Sequence, residues 1–337
     1  MVTSPHAAAL APGLATGIGS LPHLDAREAA ELTLRLHPTL PAAPELPERD
    51  RREGLVAQWA DALPEVTVAS DGTLSIDAAR VVEEIVPAFS SSTHAGLLAF
   101  LDAIDAMPIA PPRVKVQIVG PLTLGVALDA AGMPTSLAFE RAGAAVRAWV
   151  RALDQLLTTR LPDVPVLLFL DEPALVLWRR DAAPVEREQA VDLLSASLAA
   201  ASCLTGVHVC GDGDLRLAFE AGPSVLGAPV TDTLIDDADV IARHIDAGGW
   251  VAWGAVPTDR PIGDTSDALW RRMVAVWCEL TRRGCDPVRL RTHGIITPAC
   301  GLAGHGRTQA ERALRLTSDI AGRVGDQAVA ARLTVGA

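Results

Sequence analysis

The chain has 337 residues, 49% of them hydrophobic, and a net charge of −12, which is enough apolar material for a large buried core. The acidic balance and the lack of a Lys/Arg-rich stripe argue against a nucleic-acid partner, and no apolar run reaches the roughly 20 residues of a membrane span. The five cysteines are an odd number spread over a long chain, so they fit a reducing cytoplasm better than a disulfide framework. We therefore expect a cytoplasmic protein that binds neither nucleic acid nor membrane.

Short apolar runs alternate with longer amphipathic segments along the chain. The predicted strands cover 15–22, a weak 41–47, 113–121, 164–173, 205–211, 224–229, 249–256 and 292–301. The segments between them carry apolar residues at helical spacing, and many begin with Asp, Ser or Thr, which favour the N-cap position. Several of the strand runs are apolar throughout, which is typical of parallel strands covered on both faces.

Eight predicted strands with intervening helices indicate an α/β protein built as a (β/α)8 TIM barrel, with a doubly wound open sheet as the alternative. We expect residues 1–14 to form a flexible arm and residues 15–337 to form a single barrel domain. The segment 50–112 is longer than a simple strand-to-helix connection, so it predicts an insertion. The sequence SDGTLSID at 70–77 is typical of a hairpin within that insertion.

Polar and reactive residues follow the predicted strands at the points where they end. They are Ser20 and His23, Glu45 and Glu48, Gln117 and Thr123, Asp171 and Glu172, His208 and Cys210, and Thr297 with Cys300. The carboxyl ends of the strands in a parallel barrel converge on one face, which is where active sites lie. Each of these residues taken singly also fits a packing or helix-capping role, so it is their shared placement that favours a functional site.

The stretch GVHVCGDGD places His208 and Cys210 two positions apart on a predicted strand, so both side chains point to the same side. A further cysteine from a distant strand would complete a set of two thiolates and one imidazole. That soft set prefers zinc, and three protein ligands with one open position are the pattern of a catalytic zinc site. The remaining cysteines lie within or beside predicted helices, where packing is the simpler interpretation.

Five motifs, taken in order, resemble the catalytic barrel of cobalamin-independent methionine synthase: GIGSLP, VGPLTL, LDEPAL, HVCG and TPACGL. The resemblance covers roughly residues 15–325 and is to the stand-alone core form of that enzyme. The wider superfamily also includes uroporphyrinogen decarboxylase and zinc methyltransferases that serve corrinoid proteins. The resemblance implies a TIM barrel, one zinc ion per chain and transfer of a methyl group to the homocysteine thiolate.

The resemblance also implies site residues. By position, the zinc ligands are His208, Cys210 and Cys300. The substrate-binding candidates are Ile18, Gly19 and Ser20 for the homocysteine carboxylate and backbone, Asp171 for its ammonium group, Glu45 or Glu48 as a second acidic contact, and Glu172 beside Asp171. The candidate catalytic residues are Asp171 and His293.

Two departures from the family pattern bear on the metal and on the methyl donor. The position of the usual acidic zinc ligand holds Pro229, so either Asp232 or water takes its place, or the metal is lost. The tryptophan-bearing segment that helps to hold folate is not recognisable in LTLGVALDAAGMPTS. The donor is therefore open between methyltetrahydrofolate and a methylated corrinoid, with a corrinoid protein as a potential partner.

The leading interpretation is a zinc-dependent methyltransferase that acts on a small-molecule thiol, homocysteine, and forms methionine. One alternative is a corrinoid-linked methyltransferase with another thiol acceptor. A different class of alternative is a catalytically silent homologue that serves as a binding module, which Pro229 favours. Retention of both cysteines, the histidine and Asp171 at one predicted rim favours the enzyme.

Overall fold

A computed structural model describes residues 10–80 and 84–335. In that part of the chain, seven parallel strands form one sheet in the spatial order β1-β9-β8-β7-β6-β5-β4. Its strands are β1 (Leu14–Ala15), β4 (Val114–Val119), β5 (Val166–Asp171), β6 (Leu204–His208), β7 (Val225–Pro229), β8 (Trp250–Val256) and β9 (Gly294–Pro298). A separate antiparallel hairpin consists of β2 (Val66–Val68) and β3 (Leu74–Ile76).

Helices lie between the strands of the sheet. They are α1 (Ala26–Leu36), α2 (Ala57–Ala60), α3 (Ala95–Asp105), α4 (Pro121–Ala130), α5 (Thr135–Arg160), α6 (Leu175–Arg179), α7 (Arg187–Leu198), α8 (Leu215–Glu220), α9 (Ala238–Asp246), α10 (Ser266–Arg282), α11 (Pro287–Thr292) and α12 (Arg307–Val335), with 3-10 turns at Arg51–Glu53, Ala78–Arg80 and Asp232–Asp237. Within the described residues, no helix has the length and apolar character that a bilayer crossing requires.

The sheet curls because its first strand pairs with its last, and the gap that remains between β1 and β4 is spanned by the predicted weak strand at 41–47. Ala42 forms a parallel bridge with Lys115 on β4, and Glu45 forms one with Ser20, which follows β1. This segment therefore takes the eighth position of the ring. The predicted α/β barrel is confirmed, with its second strand reduced to isolated bridges.

The buried strands follow the sequence pattern on which their prediction rests. All residues of β4, β5, β7 and β9 are buried, as expected of parallel strands with a filled barrel on one side and helices on the other. Several helices begin at a side chain that caps them: Asp25, Asp214 and Thr265 each accept the backbone N–H three residues later, at α1, α8 and α10. All three caps are Asp or Thr, two of the residue types on which the sequence prediction of helix starts relies.

Helices α2, α4, α6 and α11 were not located individually by the sequence, although extra helices or a hairpin were expected in the insertion that contains α2. Helix α4 begins directly after β4, with Gly120 at its N-cap and Pro121 in its first turn, and Gly120 has no side chain to mark the start. Helix α11 also has Pro at its first position, which is a recognised start signal. The other two helices are only four and five residues long, too short to show a helical period.

The insertion at 50–112 contains the predicted hairpin, as β2 and β3, together with α2 and α3. Its core is an aromatic cluster in which Trp59 and His94 pack edge-on or tilted against Trp149 of α5, with ring centroids 5.1 Å apart. The Trp149 indole N–H also donates a 2.7 Å hydrogen bond to the Trp59 carbonyl. Trp149 therefore anchors the insertion to the barrel.

Residues 1–9 of the predicted N-terminal arm lie outside the described residues. Leu10 is buried in a cluster with residues from several strands, including Leu167, Phe169 and Ile295. These side chains fill the inside of the barrel, so the chain enters the fold through the interior packing ahead of β1.

We predict that Trp149→Ala lowers the free energy of unfolding by about 3–5 kcal/mol, because it removes a fully buried indole and leaves a cavity between the insertion and α5. Leu24→Ala is the control, because Leu24 is 66% exposed. Urea denaturation followed by circular dichroism measures both changes. A loss below about 1 kcal/mol for Trp149→Ala would show that the insertion is not anchored through this residue.

Candidate metal centre

The structure brings His208, Cys210 and Cys300 together at the carboxyl face of the barrel. His208 is the last residue of β6, Cys210 lies two residues further on, and Cys300 follows β9 by two residues. One ligand atom from each lies within 4.8 Å of the other two, and the two sulfurs are 2.6 Å apart. The three predicted ligands therefore meet although 90 residues separate the two cysteines.

The histidine of this cluster has an unsatisfied nitrogen. His208 is 4% exposed, and its Nε2 atom has no hydrogen-bond partner among the described residues. Buried polar atoms are nearly always paired, so an unpaired imidazole nitrogen beside two sulfurs indicates a position for an external ligand. On the neighbouring strand, Asp171 is the register partner of His208.

Each of the two thiols changes the acidity of the other. The hydrogen bond between them, together with the nearby His208 ring, lowers the pKa of Cys300, while the same contact and burial raise the pKa of Cys210. A cation bound between the two sulfurs would favour the loss of the proton from both thiols. Both cysteines are half-buried, so an ion can reach them from solvent.

These donors fit zinc. Two sulfurs and one imidazole nitrogen match its soft-to-borderline preference, with bonds of about 2.3 Å to sulfur and about 2.0 Å to nitrogen. Such bonds hold two sulfurs roughly 3.8 Å apart in a tetrahedral site, so the Cys210 and Cys300 side chains would have to move apart by about 1 Å. Both cysteines lie outside the strands, because Cys210 follows the end of β6 and Cys300 the end of β9.

A second group of charged residues lies inside the barrel next to this cluster. Asp171, at the end of β5, is 5% exposed, and its Oδ1 atom has no hydrogen-bond partner among the described residues. Burial raises the pKa of Asp171 to about 6, against the opposing effect of the Lys115 ammonium group. Glu45 is also buried with an unpaired Oε1 atom, and burial together with the charge of Asp171 raises its pKa to about 8. Each of these two buried carboxyl groups therefore has one oxygen without a partner among the described residues.

Sequence analysis missed Lys115, the single lysine of the chain, as a member of this group. Its side chain is 1% exposed, and its Nζ atom donates to the Ile18 carbonyl at 2.5 Å and to Gln117 Oε1 at 2.9 Å. Burial lowers the pKa of Lys115 to about 8, while Asp171 and Glu45 act to raise it. A lysine two residues before Gln117 in the buried strand VKVQIV was the signal that would have revealed it.

The segment after β1 holds the predicted residues Ile18, Gly19 and Ser20 against this group. Gly19 has φ +148°, and a Cβ atom there would overlap the Gln117 amide, so only glycine allows the close approach. The Ser20 carbonyl accepts the Leu302 N–H at 2.9 Å. Ser20 also lies against the residue after Cys300, because a Cβ atom on Gly301 would overlap the Ser20 hydroxyl.

The Glu172 side chain has a structural role, because both of its carboxylate oxygens accept hydrogen bonds from the start of α4. One carboxylate oxygen accepts the Leu122 N–H at 2.8 Å, and the other accepts the N–H and hydroxyl of Thr123 at 2.8 and 2.6 Å. The side chain therefore caps the first turn of α4, whose own N-cap is Gly120. Burial raises the pKa of Glu172 to about 7, while these hydrogen bonds oppose the rise. No free oxygen remains on Glu172 for a substrate.

Other predicted residues are not brought to the cluster. Glu48 forms an exposed ion pair with Arg51. Asp232 is exposed at the start of a 3-10 turn and is not one of the three clustered ligands. His293 precedes β9 and packs against Trp250, the first residue of β8, so it lies at the amino end of the strands, opposite the metal ligands.

Together these observations define a parallel α/β barrel with a two-cysteine, one-histidine cluster and buried carboxyl groups at the carboxyl ends of its strands. The same fold occurs in a B12-independent methionine synthase from Shewanella sp. W3-18-1 in complex with selenomethionine, with a TM-score of 0.64 and 13% identity over 95% of this chain and 100% of that chain. A putative vitamin-B12 independent methionine synthase from Listeria monocytogenes gives a TM-score of 0.57 and 13% identity, covering 94% of this chain and 99% of that chain.

A methyltransferase from Methanosarcina mazei is a third structural neighbour, with a TM-score of 0.54 and 15% identity over 88% of this chain and 86% of that chain. No protein-family model matches the chain, and no curated protein matches it. At these identities the likeness shows the fold, and it confirms the barrel that the motif resemblance implies.

We predict that Glu172→Gln destabilises the fold by about 1–3 kcal/mol, because one of the buried N–H groups of Leu122 and Thr123 then faces an amide NH2 group in place of an oxygen. Glu48→Gln is the matched control, because it changes only a surface ion pair. Chemical denaturation at pH 7 measures both variants. Equal stability of the two would contradict the capping role.

Proposed function

We propose that this protein is a zinc-dependent methyltransferase that moves a methyl group to the thiolate of homocysteine and forms methionine. The observation that carries the proposal is the meeting of His208, Cys210 and Cys300 next to Asp171, whose buried oxygen has no partner. A metal-binding set for a thiol and an acidic receptor for an amine are thus adjacent. The names of the structural neighbours, two methionine synthases and a methyltransferase, support the same reaction class.

An amino acid with a thiol at the end of its side chain matches this arrangement at both ends. Its ammonium group pairs with Asp171 and Glu45, which are buried and have free oxygens. A cation at that position favours the ionised form of Glu45, because it offsets the repulsion from Asp171. The Ile18 carbonyl accepts a hydrogen bond from Lys115, which connects the segment Ile18–Ser20 to the buried group that includes Asp171 and Glu45. This segment is proposed to hold the backbone of the substrate.

A zinc ion bound by His208, Cys210 and Cys300 would lower the pKa of a substrate thiol and hold it as the thiolate nucleophile. Two anionic cysteine sulfurs offset the charge of the ion, so a substrate sulfur keeps the electron density that it needs to attack a methyl group. The chain's own contribution is to fix the amine end of the substrate at Asp171, so that the sulfur meets the methyl donor in line.

The protein is proposed to work as one domain, which consists of the barrel, its insertion at 50–112 and the preceding arm. It is proposed to act on small molecules in the cytoplasm, without nucleic acid or membrane.

A second candidate function is a corrinoid-linked methyltransferase with another thiol acceptor. A silent binding module is the third, and the specific observation in its favour is Pro229, which ends β7 where the family pattern has an acidic ligand. Metal content separates this third function from the two enzymes.

We predict that purified protein, stripped with chelator and re-exposed to zinc, holds about one zinc ion per chain, and that Cys300→Ser retains less than roughly a fifth of it. Cys278→Ser is the matched control, because Cys278 is exposed on α10. Plasma emission spectrometry after dialysis measures the content. Zinc-free wild-type protein would support the silent module. Full zinc content in Cys300→Ser would exclude Cys300 as a zinc ligand.

We predict that Asp171→Asn raises the KM for homocysteine by about 10–100-fold, because it removes a charge-assisted contact to the ammonium group. Asp163→Asn in the exposed loop before β5 is the control. Methionine formation is assayed with methyltetrahydrofolate and with methylcobalamin as donors. An unchanged KM in Asp171→Asn would contradict the role of Asp171 in binding the ammonium group. Methionine formed from methylcobalamin alone would favour the corrinoid-linked enzyme.

A further inference from the structure

A small internal cavity lies between the insertion and the barrel. The centre of a water molecule can move within about 10 Å³ of it, which is close to the room that one bound water requires. All of its lining residues are buried, so the cavity is closed to solvent. They come from the segment 41–47, β4, α2, α3 and α5, and the polar ones are Glu45, Gln58, Trp59 and Gln117.

Three of these polar side chains have a buried atom without a hydrogen-bond partner in the described part of the chain. The atoms are Glu45 Oε1, Gln58 Oε1 and Trp59 Nε1. A carboxylate oxygen and an amide oxygen both accept hydrogen bonds, so they need a donor between them, whereas the indole N–H needs an acceptor. Buried polar atoms are nearly always paired, so three unpaired ones around one cavity indicate a bound polar molecule.

One water molecule has the donors and the acceptor that these three atoms require. It can donate one hydrogen to each oxygen and accept the Trp59 indole N–H, and three hydrogen bonds are typical of a buried water. The fourth polar residue is already paired. Gln117 Oε1 accepts from Lys115 at 2.9 Å, and Gln117 Nε2 donates to the Ala43 carbonyl at 2.8 Å.

The insertion fixes the position of two of the three side chains. Gln58 and Trp59 lie on α2, all four residues of which are buried. The Gln58 N–H donates to the Gly54 carbonyl at 3.0 Å, and the Trp59 carbonyl accepts the Trp149 indole N–H at 2.7 Å. Glu45 belongs instead to the segment that completes the ring of strands. The cavity is therefore a point of contact between the insertion and the buried carboxyl groups of the barrel.

We infer that Gln58 is a positioning residue, and that it orients the Glu45 carboxyl group through one buried water molecule, which Trp59 also binds. The insertion thereby acts on binding of the substrate amine without touching the substrate. This consequence rests on the proposed function, whereas the water site does not. The charged groups that face Glu45 are Asp171, Lys115 and Glu53, and the variants below leave all of them in place.

A high-resolution crystal structure of the substrate-free protein tests the water site directly. We expect one ordered water molecule at about 2.7–3.2 Å from each of Glu45 Oε1, Gln58 Oε1 and Trp59 Nε1. A cavity without ordered water, or a direct hydrogen bond between the Gln58 and Glu45 side chains, would overturn the inference.

Carbon-13 NMR of protein with labelled glutamate follows the titration of Glu45, whose signal is assigned by its loss in Glu45→Gln. We expect Gln58→Met to raise the pKa of Glu45, because the water loses a partner and the ionised carboxylate loses a hydrogen-bond donor. Trp59→Phe should raise this pKa as well. The double variant should not exceed the larger single change, because both residues act through the same water. An unchanged pKa in Gln58→Met, or fully additive changes, would contradict the inference.

Gln189→Met and Trp178→Phe are the matched controls. Gln189 is exposed on α7. Trp178, on α6, has a buried indole N–H that is also unpaired among the described residues, but it does not line the cavity. Both controls should leave the pKa of Glu45 as in wild type. A purely structural role of Gln58 would change the free energy of unfolding and leave the pKa of Glu45 unchanged.

In the methyl-transfer assay, Gln58→Met should raise the KM for homocysteine by about 3–10-fold and leave kcat within about twofold of wild type. An unchanged KM in Gln58→Met, in an enzyme whose KM is raised by Asp171→Asn, would contradict the positioning role alone. Protein that forms no methionine, yet holds the water and shows the raised pKa of Glu45 in Gln58→Met, would contradict the proposed function and leave the water site intact.

Discussion

The direction of the strands is the constraint on which this site depends. Because all the strands of the barrel run parallel, every carboxyl end reaches the same face, and residues from distant parts of the chain meet there. Cys210 follows β6 and Cys300 follows β9, with two strands between them in the sheet, yet their sulfurs are in contact. A single reversed strand would send one of these ligands to the opposite end of the barrel.

Beneath the cluster of His208, Cys210 and Cys300, the barrel interior holds the buried ionisable groups of Lys115, Asp171 and Glu45. Burial lowers the pKa of Lys115 and raises those of Asp171 and Glu45, so each of these groups is more easily neutralised here than in water. Burial of these groups is costly unless they are paired. In the proposed function, the ammonium group of the substrate supplies the partner that Asp171 Oδ1 and Glu45 Oε1 lack.

The sequence predicted the parts of the fold that follow from local pattern and missed those that depend on distant partners. Continuous apolar runs located β4 to β9, whereas the predicted strand at 15–22 is only Leu14–Ala15 in the structure. The motifs around His208 and Cys300 located the cluster of His208, Cys210 and Cys300. Glu172 was read as a substrate residue because its hydrogen bonds to α4 join parts of the chain that are 50 residues apart. Lys115 was overlooked because a buried lysine is rare. His293 lies near the start of the predicted strand at 292–301. The direction of that strand therefore places His293 at the amino ends of the strands, away from His208, Cys210 and Cys300.

The central claim is that two sulfurs and one imidazole hold a zinc ion that accepts the sulfur of the substrate. X-ray absorption at the zinc edge tests it most directly, because it counts sulfur neighbours at about 2.3 Å. The account predicts two sulfurs and one imidazole nitrogen in the zinc-loaded protein, and three sulfurs after homocysteine is added. An unchanged sulfur count with saturating homocysteine, or a shell of oxygen and nitrogen alone, would contradict it.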